Sequence, residues 1–319
     1  MAAKILFMRS NKAFLPEIDA YIKYFNNRSP YRAYDSSTLE NFDPNEFDVI
    51  WEFKGFGGAK KKSYQMLIHE YASLSTGSYP KVKNFLKSKL NQRPDLRIFL
   101  NENVRRGFPF NDNVEYCYRD MGIDQIFLDA RKESVKKEYD FVYVGAVSKS
   151  RGIHKLLKSF NENKQGKLCL VGNVDADLYK EYKNNKDIIF TGKVPYHEVP
   201  IISSRAIYGI NYIPNKYPYN IQTSTKLLEY LSLGLKVITT KYKWVYQFEK
   251  NNDCLFYKID EGNFRFNLEV LERFHFQSNI NPNLFLWDNI IEKSGIESKI
   301  SKFIQGVNHD QFYHPRIQC

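Results

Sequence analysis

The sequence predicts an α/β protein of two domains, in which buried strands alternate with helices. The length of 319 residues corresponds to two domains of average size. A first strand–helix series begins at residue 4, and a second begins at Asp140. Between them, residues 131–139 are charged and poor in apolar side chains, which is typical of a linker. We therefore predict an N-terminal domain over residues 1–135 and a C-terminal domain over residues 140–285.

The elements of the first half follow from its apolar pattern. Strands are expected at residues 4–8, 31–34, 47–53, 66–68 and 96–100, and helices at residues 14–25 and 79–90. The helix over residues 79–90 has an apolar stripe, which comprises Val82, Phe85, Leu86 and Leu90. Lysines flank this stripe, so two interpretations are open. The favoured one packs the stripe on the sheet, and the other places the helix against anionic lipid.

The second half repeats the plan. Strands are expected at residues 140–145, 167–171, 188–191, 206–213 and 235–240, and helices at residues 153–160, near residues 225–233 and in the C-terminal segment 286–319. The helix near residues 225–233 follows three hydroxyl residues, which are good N-cap candidates, and Gly234 suits the position after its end.

This helix has two distinct faces. Leu227, Leu228 and Leu231 share one face, which should pack on a sheet, and Lys226 and Glu229 lie on the opposite side. The helix start offers free N–H groups and a positive dipole end beside a lysine, which together suit an anion. An ordinary amphipathic helix with a solvated Lys–Glu pair is the alternative.

The segment over residues 224–238 resembles the S-x-K-L-x-E-Y-L-x-x-G-x-x-V-I signature of GT-B glycosyltransferases, in particular the family-4-like enzymes of bacterial surface-glycan synthesis. The resemblance implies two Rossmann-like domains facing across a central cleft. The N-terminal domain would bind the acceptor and the C-terminal domain the nucleotide-sugar donor, with UDP favoured. Residues 286–319 would form a helix that braces the N-terminal domain.

Further segments match the same family. Residues 144–152 resemble its V-G-R-x-x-x-x-K-G turn, although Ala146 stands where an arginine is usual and Lys149 could substitute. Residues 190–195 resemble F-x-G-x-V-P, which lies against the base. In this family the hydroxyl turn and lysine hold the diphosphate, and the glutamate holds the ribose. The residues thus expected at the donor are Gly145, Lys149, Arg151, Asn173, Val194, Thr223, Ser224, Thr225, Lys226 and Glu229.

The chemistry implied is sugar transfer with a stabilised diphosphate leaving group. His69 and Glu70 end a buried strand, where ligands of open α/β sheets bind. A structural His–Glu pair is the alternative. Glu70 is the candidate base of an inverting enzyme. Retaining relatives carry a further glutamate where Ile221 stands, so stereochemistry stays open, with retention favoured. The residues expected to act in catalysis are His69, Glu70, Arg151 and Lys226.

The formal charge of +11 requires an anionic partner or a role in solubility. Residues 54–106 contain twelve Lys or Arg against three acidic residues. The residues expected to contact the acceptor or a membrane are Lys60, Lys61, Lys62, Lys83, Lys87, Arg105 and Arg106. We therefore expect a glycan or lipid-linked glycan acceptor and an anionic membrane surface as partners.

Other function classes find less support. The sequence has no signal-peptide pattern and no run long enough to span a bilayer, which favours a cytoplasmic protein, peripheral at the inner face of the plasma membrane. Its four cysteines form no CxxC pair, so neither a disulfide framework nor a zinc site is indicated, and the resemblance to the GT-B family implies no metal or other cofactor. A nucleic-acid-binding protein would explain the charge, but no RNP-like or helix-turn-helix pattern is present. A catalytically inactive nucleotide-sugar-binding or scaffold protein stays open.

Overall fold

The computed structural model describes residues 2–9, 15–28, 30–55, 57–58, 60–132, 135–163, 165–262 and 264–313. Phe14, with which the first predicted helix begins, lies outside the described residues, as does Cys319. The chain divides into two compact units. Unit 1 comprises Met1–Gly122 and Trp287–Cys319, and unit 2 comprises Ile123–Leu286.

Unit 1 is built on a six-stranded parallel sheet. Its strands are β1 (Ala3–Met8), β2 (Tyr31–Asp35), β3 (Val49–Phe53), β4 (Met66–Tyr71), β5 (Leu96–Phe99) and β6 (Glu115–Tyr118). Its first helices are α1 (Pro16–Asn26), α2 (Pro80–Leu90) and α3 (Glu102–Arg106). The strand order is β2-β1-β3-β4-β5-β6, and every pairing is parallel. Parallel pairing explains why the central strands are buried on both faces.

Unit 2 contains a second six-stranded parallel sheet. Its strands are β7 (Tyr139–Val144), β8 (Leu168–Val171), β9 (Ile188–Gly192), β10 (Ala206–Asn211), β11 (Lys236–Thr240), β12 (Cys254–Leu255), β13 (Tyr257–Ile259) and β14 (Gln277–Ser278). Its helices are α4 (Gln125–Lys132), α5 (Ile153–Asn163), α6 (Ala176–Tyr182), α7 (Val199–Ser203), α8 (Thr225–Ser232), α9 (Lys243–Asn252) and α10 (Leu268–Arg273). The sheet order is β13-β11-β10-β7-β8-β9, while β12 and β14 pair separately.

The chain then returns to unit 1 through α11 (Trp287–Ser294) and α12 (Ile296–Tyr313). Trp287 packs on Gly122, where a Cβ atom would lie 2.5 Å from the indole ring. Ile291, Ile296 and Ile300 are fully buried in the core of unit 1. The C-terminal helices are therefore part of this core.

Aromatic side chains fill much of the core of unit 1. The rings of Tyr21 on α1 and Trp51 on β3 lie 4.4 Å apart, and Phe7 on β1 lies 4.9 Å from Trp51. All three are fully buried. The face of α1 that carries Tyr21 thus covers the sheet.

Two expectations differ from the structure. The predicted boundary placed residues 123–135 in the first domain, whereas Ile123 and helix α4 belong to unit 2. The favoured prediction that α2 packs its apolar stripe on the sheet is wrong. Val82, Phe85, Leu86 and Leu90 are all exposed, and Asn84 is the buried residue of that helix.

Candidate functional site

In unit 2 the order of the strands reverses between β7 and β10. The chain runs from β7 outwards to β8 and β9, and then continues on the other side with β10, β11 and β13. The loops that follow β7 and β10 therefore leave the sheet in opposite directions and leave a crevice between them. Ligands of open α/β sheets bind at this position. Residues 145–152 and 212–224 form these two loops.

Three close approaches link β7 and the loop after it to α8 and to the loop after β10. The Tyr230 hydroxyl accepts a hydrogen bond from the Val144 N–H at 2.9 Å. A Cβ atom on Gly145 would lie 3.7 Å from Lys226 Nζ. A Cβ atom on Gly152, whose φ is +75°, would lie 2.5 Å from the Tyr212 hydroxyl, so only glycine fits there. The predicted glycine turn and the predicted hydroxyl–lysine helix thus meet at one end of the sheet.

The ammonium of Lys226 is positioned by an aromatic ring. Its Nζ lies 4.3 Å from the ring centroid of Tyr143, which is buried on β7. This Nζ is buried and has no hydrogen-bond partner among the described residues. The contact is a cation–π interaction, which attracts the charge without using its three N–H donors. Those donors are therefore available to an anion at the helix start.

Glu229 lies one turn further along α8 and is only 8% exposed. Burial raises the pKa of its carboxyl group to about 7, and the positive charge of Lys226 opposes this shift. The Tyr196 hydroxyl donates to Glu229 Oε1 at 3.4 Å, and burial raises the pKa of Tyr196 as well. The alternative interpretation of a solvated Lys–Glu pair is wrong, because the carboxylate is desolvated.

The hydroxyl residues before α8 differ in their environments. Ser224 is the N-cap residue, but its side chain makes no cap hydrogen bond. Its hydroxyl instead donates to Asn211 Oδ1 at 2.7 Å, and Asn211 Nδ2 donates to the hydroxyl groups of Thr239 and Tyr242. This network fixes the loop before α8 on the ends of β10 and β11. Thr223 and Thr225 are half-buried.

The turn after β7 presents its basic residues to solvent. Arg151 is exposed, and its N–H donates to the Ser148 hydroxyl at 3.2 Å. Lys149 is also exposed, and its Nζ lies 3.7 Å from Asp177 Oδ2. That contact competes with the predicted substitution of Lys149 for the absent arginine. Arg151 has no such acidic partner among the residues the structure describes.

The two remaining predicted donor residues lie on neighbouring turns. Asn173 is exposed, and its carbonyl accepts from the Val147 N–H at 2.7 Å. Val194 is half-buried and lies two residues before Tyr196. Since Tyr196 contacts Glu229, the segment over residues 190–195 is held near α8.

In unit 1, Glu70 has a structural environment. It is 1% exposed, its Oε2 accepts from Trp51 Nε1 at 2.9 Å, and its Oε1 forms an ion pair with Arg119. The Arg119 guanidinium is also fully buried, and its Nε donates to the Tyr21 hydroxyl at 3.0 Å. Both carboxylate oxygens of Glu70 are thus occupied within the core. This environment favours the structural interpretation over the role of a base.

His69 is fully buried beside an acidic residue. Its Nε2 lies 3.3 Å from Glu52 Oε2, and Lys54 Nζ lies 3.1 Å from the same oxygen. Burial lowers the pKa of His69, so the imidazole is neutral near pH 7. Because the imidazole is fully buried, it could exchange a proton with a substrate only after the surrounding side chains move apart.

The basic residues predicted to contact an acceptor or membrane are not all free. Lys60, Lys62, Lys83 and Arg106 are exposed, whereas Lys61, Lys87 and Arg105 are half-buried. Lys61 forms an ion pair with Asp95, and Arg106 forms one with Glu102. Arg105 lies over the ring of Tyr116 at 4.1 Å. Fewer basic side chains of residues 54–106 are therefore available to an anionic partner than the count of twelve Lys and Arg suggested.

Three residues of the site were not predicted from the sequence. Tyr143 supports Lys226, Tyr196 contacts Glu229, and Asn211 organises the loop before α8. Tyr143 and Asn211 lie on buried strands, where nothing in the sequence distinguishes a residue of the site from an ordinary strand residue. Tyr196 directly follows the predicted V-P segment, and this position was the one available signal.

Two further features concern membranes and metals. No helix in the described part of the chain combines the length and apolar character that crossing a bilayer requires. Nor do three or more His, Cys, Asp or Glu side chains come together there in a way that could hold a metal ion.

Part of the chain, including the site, matches the model of a known protein family. Residues 124–259 match the family "Glycosyl transferases group 1". The matched segment contains the turn after β7, the start of α8 and Glu229, and it lies within unit 2. No curated protein sequence matches the chain.

Solved structures share the fold over nearly the whole chain. AviGT4, a glycosyltransferase involved in avilamycin A biosynthesis, has a TM-score of 0.61 at 11% identity and covers 95% of this chain and 98% of its own. HepE of Anabaena, solved with UDP and glucose, has a TM-score of 0.58 at 12% identity, with coverages of 97% and 99%. Sucrose-phosphate synthase of Thermosynechococcus elongatus has a TM-score of 0.58 at 13% identity, with both coverages 98%. The two parallel six-stranded sheets are those of the GT-B fold, as the sequence predicted.

Proposed function

We propose, from the match of residues 124–259 to the group 1 glycosyl transferases and from the GT-B fold, that this protein transfers a sugar from a nucleotide-sugar donor. The acceptor would be a glycan or lipid-linked glycan in the synthesis of a surface polysaccharide. A UDP-sugar is the favoured donor, and the HepE structure, which shares the fold, contains UDP and glucose.

The observation that carries the proposal is the ammonium of Lys226. It is buried and held over Tyr143, it has no hydrogen-bond partner in the described residues, and it lies beside Gly145 at the switch point of the sheet. A buried positive charge without a partner is costly unless a ligand completes its hydrogen bonds. A diphosphate would accept these bonds, together with those of the N–H groups at the start of α8.

Glu229 is the proposed ribose ligand. A carboxylate accepts hydrogen bonds from two neighbouring hydroxyl groups, and the ribose of a nucleotide offers such a pair. Glu229 is one turn from Lys226, so ribose and diphosphate would bind along the same helix. Val194, two residues before Tyr196, is the proposed contact to the base, and Asn173, on the turn after β8, is the proposed contact to the donor sugar.

Catalysis would rest on stabilisation of the leaving diphosphate. As the bond to the sugar breaks, negative charge grows on the phosphate oxygen, and Lys226 and Arg151 would stabilise it. Arg151 is exposed on a turn held by Gly152 and Ser148, so its side chain can reorient onto a ligand. We propose a metal-independent reaction, with retention favoured because Glu70 is engaged in the core of unit 1.

The test is a comparison of nucleotides by calorimetry, followed by hydrolysis of a panel of sugar nucleotides. We expect UDP to bind more tightly than GDP, ADP or free phosphate, and one UDP-sugar to be hydrolysed slowly without acceptor. Binding without hydrolysis or transfer would instead favour an inactive nucleotide-sugar-binding protein. That alternative has support from Ala146 and Ile221, which stand where family members carry an arginine and a glutamate.

The acceptor proposal rests on charge. Residues 54–106 carry a large positive excess, and Lys60, Lys62 and Lys83 are exposed there. Anionic glycans or lipids would be attracted to such a region. We therefore propose an anionic, lipid-linked acceptor that the protein meets at the inner face of the plasma membrane.

A further inference from the structure

Helix α2 presents its polar side to the protein and its apolar side to solvent. Its buried residue is the polar Asn84, whose Oδ1 accepts from the Ser75 N–H at 2.9 Å, and Lys87 and Ser88 are half-buried. With 100° between successive residues, Lys87 and Ser88 lie on the same side of the helix as Asn84. A surface helix normally presents its apolar stripe to the core and its polar side to solvent. In α2 this arrangement is reversed.

The apolar side of α2 is exposed to solvent as one patch. The exposed fractions are 79% for Tyr79, 53% for Val82, 49% for Phe85, 39% for Leu86 and 69% for Leu90. In the described part of unit 1, seven large hydrophobic side chains are exposed, and five of them are these. Isolated exposed apolar residues need no explanation, but a contiguous patch marks an interaction surface.

Positive charges flank this patch. Lys81, Lys83 and Lys89 are exposed on α2, and Lys83 Nζ donates to the Thr76 carbonyl at 3.1 Å. Residues 71–94 contain no acidic residue. A protein partner would need an apolar groove with an acidic rim of matching shape, whereas an anionic bilayer offers both chemistries over any area.

We propose that α2 lies in the surface of an anionic bilayer, with the patch formed by Tyr79, Val82, Phe85, Leu86 and Leu90 embedded among the acyl chains. The exposed lysines contact the lipid headgroups, and the tyrosine at the helix start lies at the boundary between headgroups and acyl chains. This inference rests on the membrane part of the proposed function and specifies how that contact is made. It does not depend on sugar transfer itself, because every residue involved belongs to unit 1.

Vesicle binding tests the proposal directly. The three tryptophans of the chain, Trp51, Trp244 and Trp287, are all buried, so a Leu86→Trp variant adds a reporter at the patch. With vesicles of phosphatidylcholine and phosphatidylglycerol in equal parts, the added emission should shift to the blue. With phosphatidylcholine alone, or at high salt, binding should weaken because headgroup attraction is screened.

Two sets of variants separate the patch from its charges. Phe85→Ser with Leu86→Ser should lower the partition coefficient at least about tenfold. Lys81→Ala, Lys83→Ala and Lys89→Ala together should lower it roughly a hundredfold. The matched controls lie in unit 2. Val270→Ser with Leu284→Ser removes two exposed apolar side chains, and Lys158→Ala, Lys180→Ala and Lys186→Ala together remove three exposed charges.

The outcomes decide the proposal. Loss of binding in the α2 variants, with wild-type binding and unchanged melting temperature in the controls, supports it. Absence of binding to anionic vesicles, or equal losses in both sets, overturns it. An oligomer in solution that the Phe85→Ser, Leu86→Ser variant dissociates also overturns it, because the patch would then join two copies of the chain. Sugar-nucleotide hydrolysis in solution should be unchanged in the Phe85→Ser, Leu86→Ser variant and in the unit 2 controls, so failure here leaves the proposed transferase untouched.

Discussion

The ammonium of Lys226 lies 4.3 Å from the centre of the Tyr143 ring, and a helix start and a glycine turn flank this pair. The ring belongs to β7 and the lysine to α8, so the contact joins the two sides of the switch point. It holds a buried charge while leaving its three N–H donors without a hydrogen-bond partner among the described residues. The anion proposed above would meet this ammonium and the N–H groups at the start of α8 together.

The first prediction follows from this pair. Lys226→Ala should weaken UDP binding by roughly 1.5–3 kcal/mol, since it removes charge-assisted hydrogen bonds to phosphate. Lys236→Ala is the matched control, because Lys236 lies over the ring of Tyr208 at 5.7 Å at the opposite end of the strands. Calorimetry on both variants measures the difference. Equal affinities in the two variants would place the nucleotide elsewhere.

The second prediction concerns metal ions. Activity with the preferred donor should survive EDTA, because the diphosphate charge would be neutralised by Lys226, Arg151 and the N-terminus of α8. The measurement is the rate of donor hydrolysis before and after chelation, with Mn²⁺ added back. A rate that collapses with EDTA and recovers with Mn²⁺ would contradict the metal-independent mechanism.

The sequence predicted the fold through its periodicity. Ten of the twelve strands of the two sheets were found where apolar runs predicted them, and α8 with Gly234 has the expected form. The edge strands β6 and β13 were not predicted. Leu227, Leu228 and Leu231 are buried, as their shared face implied. Such elements are predictable because their pattern and their tertiary environment agree.

The environments of individual side chains were less predictable. The pattern of α2 was read correctly as amphipathic, but periodicity shows only that two faces differ, not which one meets the core. Glu70 was considered as a base because it ends a strand. Its partner Arg119 lies 49 residues further on, and no local pattern connects the two. Contacts between distant segments are set by the tertiary fold.

The third prediction tests the role of Glu70. Glu70→Gln should remove the nearer acidic partner of the buried Arg119 and leave it only Glu17, 3.9 Å away, at a cost of up to about 3–5 kcal/mol in unfolding free energy. The control is Glu102→Gln, which breaks the exposed pair with Arg106 and should cost at most about 1 kcal/mol. Thermal melts of both variants give the comparison. A stable Glu70→Gln protein that has lost transfer activity would restore the catalytic interpretation.

The last prediction is a pH dependence centred on Glu229. Burial raises the pKa of its carboxyl group to about 7 in the folded protein, from an ordinary value of 4.5. Between these values the folded protein holds a proton that the unfolded chain has lost, so the free energy of unfolding falls as pH rises. The penalty is complete above about pH 7 and amounts to roughly 3 kcal/mol. Glu229→Gln should remove this slope and unfold at a higher temperature than the wild type at pH 8.

Whereas the free energy of unfolding should fall as pH rises, the affinity for a nucleotide should increase. The ionised carboxylate is the form that accepts two hydrogen bonds from a ribose, so UDP affinity of the wild type should rise through pH 7. The Glu229→Gln variant should bind UDP more weakly than the wild type at high pH, and its affinity should lack the part of the rise that ionisation of Glu229 causes. Any rise that remains in the variant then comes from titration of the nucleotide itself. Calorimetry at pH 6 and pH 8 on both proteins makes the measurement. A parallel change of affinity in the two proteins would show that Glu229 does not contact the ligand, whatever its effect on stability.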